Sequence, residues 1–179
     1  MANYRWPILF FVAVGFWNTV GAGLLGFAIN PPASLYFVQG LNLTAAHGHA
    51  ALFGVYGMLG IGLMLFCLRG LYVPGRRTEA LIGKAFWCLN AGLAMMVFLS
   101  LLPAGIYQAA ASITQGLWYA RSPEVIHSPV MEFLVWMRVP GDIVFALGVL
   151  ALAAYVLKLP GRAPGEVKQA ELASASEIA

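Results

Sequence analysis

LTAAHGHAALFGVYG, residues 43–57, holds two of the chain's three histidines, His47 and His49, inside an apolar run. No charged side chain interrupts that run before Arg69. A bilayer's hydrocarbon core takes about 20 helical residues, so residues 44–68 are long enough to cross it. As a strand, the segment would put both imidazoles on one face and suit a copper or zinc site. Its apolar length argues instead for a transmembrane helix.

The neighbouring sequence has the same character. Hydrophobic residues make up 61% of the 179 and charged residues 9%, against roughly 25% charged in a soluble domain. Mean hydropathy is +0.81. Charges are absent between Arg5 and Arg69 and again between Lys84 and Arg121. A small soluble fold has too little interior for runs of this length. The fold class expected is therefore all-α, a polytopic transmembrane helix bundle of about four spans.

The spans fall at residues 7–29, 44–68, 84–103 and 139–157. Asn30-Pro31-Pro32 stops the first, since each proline lacks a donor and restricts the residue before it. Thr44 is placed to cap the second, and VPGRR at 73–77 turns the chain beyond it. Pro103 either ends or kinks the third. Residues 119–137 are mixed and read as an outer segment. Residues 1–159 form the membrane domain, and the polar tail 160–179 is expected to be disordered.

Positive charge orients membrane proteins toward the cytoplasm. Arg5, Arg69, Arg76, Arg77, Lys84, Lys158, Arg162 and Lys168 fall on one side of a four-span bundle, and Arg121 and Arg138 on the other. Both termini are thus expected in the cytoplasm. The basic residues flank spans and form no stripe, so no nucleic-acid partner is expected; the partner is membrane lipid. Cys67 and Cys88 have no metal-site spacing, and a disulfide framework is not expected.

An α-helix turns about 100° per residue, so His47 and His49 leave it about 200° apart. Chelation of one metal calls for i, i+3 or i, i+4 spacing. Two back-to-back imidazoles can instead each face a separate prosthetic group. Gly48, Ala45, Ala46, Ala50, Ala51 and Gly54 keep the helix surface flat enough for a large planar ring. Imidazole is an ordinary axial ligand of haem iron, and ionisable groups inside membranes mark function by default. Packing by hydrogen-bonded histidines is the alternative.

The segment LNLTAAHGHAALFGVYGMLGIGLMLFCLRGL resembles a late helix of the nitric oxide reductase large subunit, of the haem-copper oxidase superfamily. The resemblance extends over FWNTVGAGLLGFAINPP before it, and FWCLNAGLAMMVFLSLLPAGIYQ, GLWYARSPEV and WMRVPGDIVFALGVL after it. It covers roughly residues 8–157 and is closer to the quinol-dependent type. It implies a partial haem-copper oxidase fold in a bacterial cytoplasmic membrane. It implies haem b as cofactor, with His47 on the high-spin haem and His49 on the low-spin haem. The implied reaction is that of denitrification, 2 NO + 2 e⁻ + 2 H⁺ to N₂O + H₂O, with quinol as electron donor.

The family also carries a non-haem iron, held by three histidines and a glutamate on earlier helices, and a second histidine for the low-spin haem. This chain has only His127 left and does not ligate that iron. It corresponds to the last third of the family's large subunit, and is expected to act with the missing N-terminal helices or another subunit rather than alone. A non-catalytic membrane haem protein, a piece of an oxygen-reducing oxidase and a non-functional remnant are the competing expectations.

Arg138, in WMRVPGD, is the further candidate site residue. It can meet haem propionates, or simply pair with Asp142 one turn on. Tyr56, two turns past His49, reads as packing, as do Gly54, Gly57, Gly60 and Gly62. Trp6, Trp118, Tyr119 and Trp136 read as interface anchors. His127 reads as a surface residue, and Glu124 and Glu132 receive no role.

Overall fold

A computed structural model of the chain describes residues 4–68 and 76–159. Four of its helices are long and apolar enough to cross a membrane. These are α1 (Arg5–Ile29), α3 (Asn42–Leu68), α4 (Arg77–Gln115) and α6 (Pro129–Leu157). A short α2 (Pro32–Val38) links α1 to α3. A 3₁₀ turn at Tyr119–Arg121 and α5 (Pro123–Ile126) link α4 to α6. The described residues contain no strand. The VPGRR turn lies mostly, and the tail 160–179 entirely, outside the described residues.

Small residues set the helix contacts. A Cβ on Gly21 of α1 would lie 2.5 Å from the Ala50 Cβ of α3, and one on Gly54 2.5 Å from the Trp17 ring. Between α4 and α6, a Cβ on Gly92 would meet the Phe145 backbone, and one on Gly148 the Leu89 backbone. Such close approach is how helices associate where burial from water does not drive them together. The buried centre joins α1, α3, α4 and α6 through Phe10, Trp17, Met58, Phe86, Leu89 and Tyr155. A polar link crosses it: Trp17 Nε1 donates to Asn90 Oδ1 at 2.9 Å, and Asn90 Nδ2 donates to the Phe86 carbonyl at 2.9 Å.

The helices depart from the sequence expectations in three places. Pro103 does not end the third span, which runs on to Gln115 for 39 residues. A π-helical turn, Met96–Leu101, comes just before it. The wider turn makes room where the proline ring would press on the preceding turn. Residues 119–137 are mostly helical rather than an open segment. Ser128 Oγ accepts from the Met131 N–H, Pro129 takes the first turn, and Glu132 suits its positive end. The helix is interrupted at Met137–Arg138, where Pro140 denies a donor to the turn above.

The third difference concerns Thr44. The helix begins at Asn42, two residues earlier, with no side-chain cap of its own. Gln108 of α4 does that work from outside: its Oε1 accepts from the Asn42 N–H at 3.0 Å and from Asn42 Nδ2 at 2.9 Å. The first N–H groups of any helix need some partner, and here it is tertiary. Trp6, half-buried at the start of α1, packs against Phe86, 6.0 Å between ring centroids. Trp118 and Trp136 are exposed.

Candidate functional site

His47 and His49 lie in the first two turns of α3, at the end of the bundle where α2 and α5 cross between the long helices. Each side chain has a backbone carbonyl as its Nδ1 partner. His47 Nδ1 sits 2.8 Å from the Gly21 carbonyl of α1. His49 Nδ1 sits 2.9 Å from the Ala45 carbonyl, one turn back in its own helix. A carbonyl oxygen can only accept, so both Nδ1 atoms carry the proton. In the neutral ring that tautomer leaves the lone pair on Nε2, the form in which imidazole binds a metal. A hydrogen bond on the far nitrogen is also what fixes the ring of a metal-bound histidine.

The two rings face different helices. His47 lies on α1, where a Cβ on Gly26 would stand 3.0 Å from its Cε1. Gly21 and Gly26 thus clear the space the ring fills, and Gly21 also supplies the acceptor. Gly21 belongs to a π-helical stretch, Asn18–Leu25, and His49 opens another, His49–Gly57. Turns of this kind are rare and recur at functional sites. His49 faces α6 instead: Arg138 Nη2 lies 3.2 Å from its Nε2. Guanidinium has no acceptor, so Arg138 donates and His49 accepts. Arg138 Nε also donates to Asp142 Oδ1 at 3.2 Å.

Arg138 thus touches one of the two histidines and pairs with Asp142 at once. Both its side chain and that of Asp142 remain partly exposed, at 38% and 47%. His127 is exposed between α5 and α6. Among the described residues no three His, Cys, Asp or Glu side chains come together as a metal site. Tyr56 is exposed and borders an apolar groove of about 650 Å³ between α3 and α6. Cys67 and Cys88 are both free thiols.

Sequence reasoning did not single out Gly21, Gly26, Asn90 or Gln108. Asn90 and Gln108 did carry a signal, as amides in a span without charge, where polar side chains tend to bridge helices. The Gly21 carbonyl carried none, because every residue has one.

The sequence matches the family model described as "Cytochrome C and Quinol oxidase polypeptide I" over residues 1–144. Among curated proteins it is similar to a nitric oxide reductase subunit of Stutzerimonas stutzeri, 28% identical over 158 residues. The match takes in 81% of this chain and 31% of that relative's length.

Proposed function

The chain belongs to the cytochrome c and quinol oxidase polypeptide I family, and on that premise we propose that His47 and His49 each ligate a haem b in a membrane nitric oxide reductase. His47 takes the high-spin haem and His49 the low-spin one. One observation carries the proposal: both Nδ1 atoms are held by carbonyls, Gly21 and Ala45, which leaves Nε2 of each neutral ring for a metal, and the two rings face different helices, His47 on α1 and His49 on α6. Two packing histidines need no such matched tautomers. Haem held there would supply a one-electron iron couple and a place for a diatomic ligand.

The residues of this chain do the holding. Gly21 and Gly26 seat the His47 ring, Ala45 orients the His49 ring, and Arg138 offers a cation for haem carboxylates. The similarity to a nitric oxide reductase subunit supports NO as substrate, in the reaction 2 NO + 2 e⁻ + 2 H⁺ to N₂O + H₂O. The family description, which names oxidases, supports oxygen reduction as the second reading. Ligands for a non-haem iron, and a second imidazole for the His49 haem, come in this reading from helices other than those described here. In this reading the chain corresponds to the C-terminal third of the large subunit, with quinol as donor. The reading puts the chain in a bacterial cytoplasmic membrane with both termini in the cytoplasm, an orientation that Arg5, Arg77, Lys84 and Lys158 support.

The test is an optical spectrum of the purified chain in detergent, oxidised and then dithionite-reduced, before and after carbon monoxide. The expected result is a reduced haem spectrum that carbon monoxide shifts. Haem content should fall in His47→Ala and in His49→Ala, and vanish in the double variant. A double variant that carries as much haem as the native chain would refute the proposal; a native chain without haem would mean that the sites form only with the missing helices.

A further inference from the structure

The contact between Arg138 and His49 has a chemical consequence of its own. With Nδ1–H given to the Ala45 carbonyl, His49 has one lone pair left, on Nε2. Arg138 Nη2 donates to it at 3.2 Å. One lone pair serves one partner. We propose that Arg138 is a reversible occupant of the His49 lone pair, and that iron loads onto His49 only as Arg138 lets go. This rests on the haem reading of His49.

The surroundings suit an occupant that can leave. Arg138 stands at the interruption between the two halves of α6, and its Nε is tethered to Asp142 one turn on. Its side chain is 38% exposed, so a released guanidinium can be hydrated without burial of an unpaired charge. An exposed ion pair with Asp142 holds it only weakly. The tether keeps the cation beside the site after release, where it can meet an anionic edge of the incoming group. The Ala45 bond is untouched by the exchange, so the ring keeps its orientation. Arg138 is therefore a positioning residue with two partners in turn, first the imidazole and then the ligand that displaces it.

The probe is haem dimethyl ester, whose carboxylates are blocked, titrated optically into the full chain in detergent. Removing a competing hydrogen bond should tighten binding about three- to tenfold in Arg138→Ala. Asp142→Asn, which keeps Arg138 but cuts its tether, should give a smaller gain. Equal affinity for the ester in native chain and Arg138→Ala overturns the proposal. A second readout needs no haem: carbethoxylation of His49 by diethyl pyrocarbonate, scored by mass spectrometry with His47 and His127 as references within the chain. Arg138→Ala should speed it about three- to tenfold at His49 alone; unchanged rates overturn the proposal. Ester binding that ignores His49→Ala refutes the haem reading, while the carbethoxylation rates still decide whether Arg138 occupies the lone pair.

Discussion

Gly21→Ala tests whether close helix contact is what orients His47. The added Cβ would stand 2.5 Å from the Ala50 Cβ, 2.8 Å from its carbonyl carbon and 3.0 Å from its oxygen. Two of those atoms are backbone, so no side chain can swing aside. Carbon atoms rest about 3.5–4.0 Å apart, and α1 and α3 must open by about 1 Å. The His47 Nδ1 to Gly21 oxygen distance, now 2.8 Å, then passes the limit of about 3.2 Å for such a bond. Overpacking costs about 1–3 kcal/mol, and the lost hydrogen bond about 0.5–1.5 kcal/mol. The better helix propensity of alanine returns up to about 1 kcal/mol. The net loss is about 1–3 kcal/mol. Gly15, six residues earlier on α1, is the control, because a Cβ there meets nothing within 4 Å. Gly15→Ala should leave stability unchanged or raise it slightly. Reversible unfolding from mild detergent into dodecyl sulfate, followed by circular dichroism, measures both, and imidazole ¹⁵N spectra follow the His47 proton. If the two variants unfold at the same dodecyl sulfate fraction and His47 keeps its Nδ1–H bond, the close-contact account fails.

Two further perturbations probe the site's surroundings. Gln108→Leu removes the acceptor of the Asn42 N–H and side chain and the donor to the Ala120 carbonyl; it should cost about 1–3 kcal/mol in the same unfolding assay, and no loss would mean that the first turn of α3 finds other partners. Gly40→Ala forces a φ of +70° on a residue with a Cβ, directly against Arg121, whose guanidinium donates to the Gln39 carbonyl. A loss of about 1–2 kcal/mol, with faster proteolysis between α2 and α3, is expected; unchanged proteolysis would show that this link does not depend on the left-handed turn.

The membrane character was plain in the sequence because charge is so costly in hydrocarbon that its absence over 60 residues admits few other folds. The opposed directions of His47 and His49 followed from helical periodicity alone. Helix ends were harder. Pro103 looks like a stop or a kink, and a π-helical turn just before it carries the helix past. Residues 119–137 look like a loop by their mixed charge, yet Ser128 and Pro129 start a helix there. Thr44 looks like a cap, but Gln108, 66 residues away from Asn42, provides one. Each of these outcomes turns on a contact between distant parts of the chain or on local backbone relaxation, and neither is written in composition. The site divides the same way. Its ligand-type residues were legible from residue identity, while the carbonyls that set their tautomers were not.

The partners of the two imidazoles also arrive at different times. Everything that orients the rings, the Gly21 and Ala45 carbonyls, precedes His49 in the chain. The α1–α3 hairpin can set both protons as soon as it enters the membrane, before α4 has been synthesised. Arg138 follows His49 by 89 residues, about 5–20 seconds of translation. During that interval His49 has its Ala45 partner but no guanidinium beside it, so under the proposed haem reading a nascent chain would meet haem with less competition than a finished one.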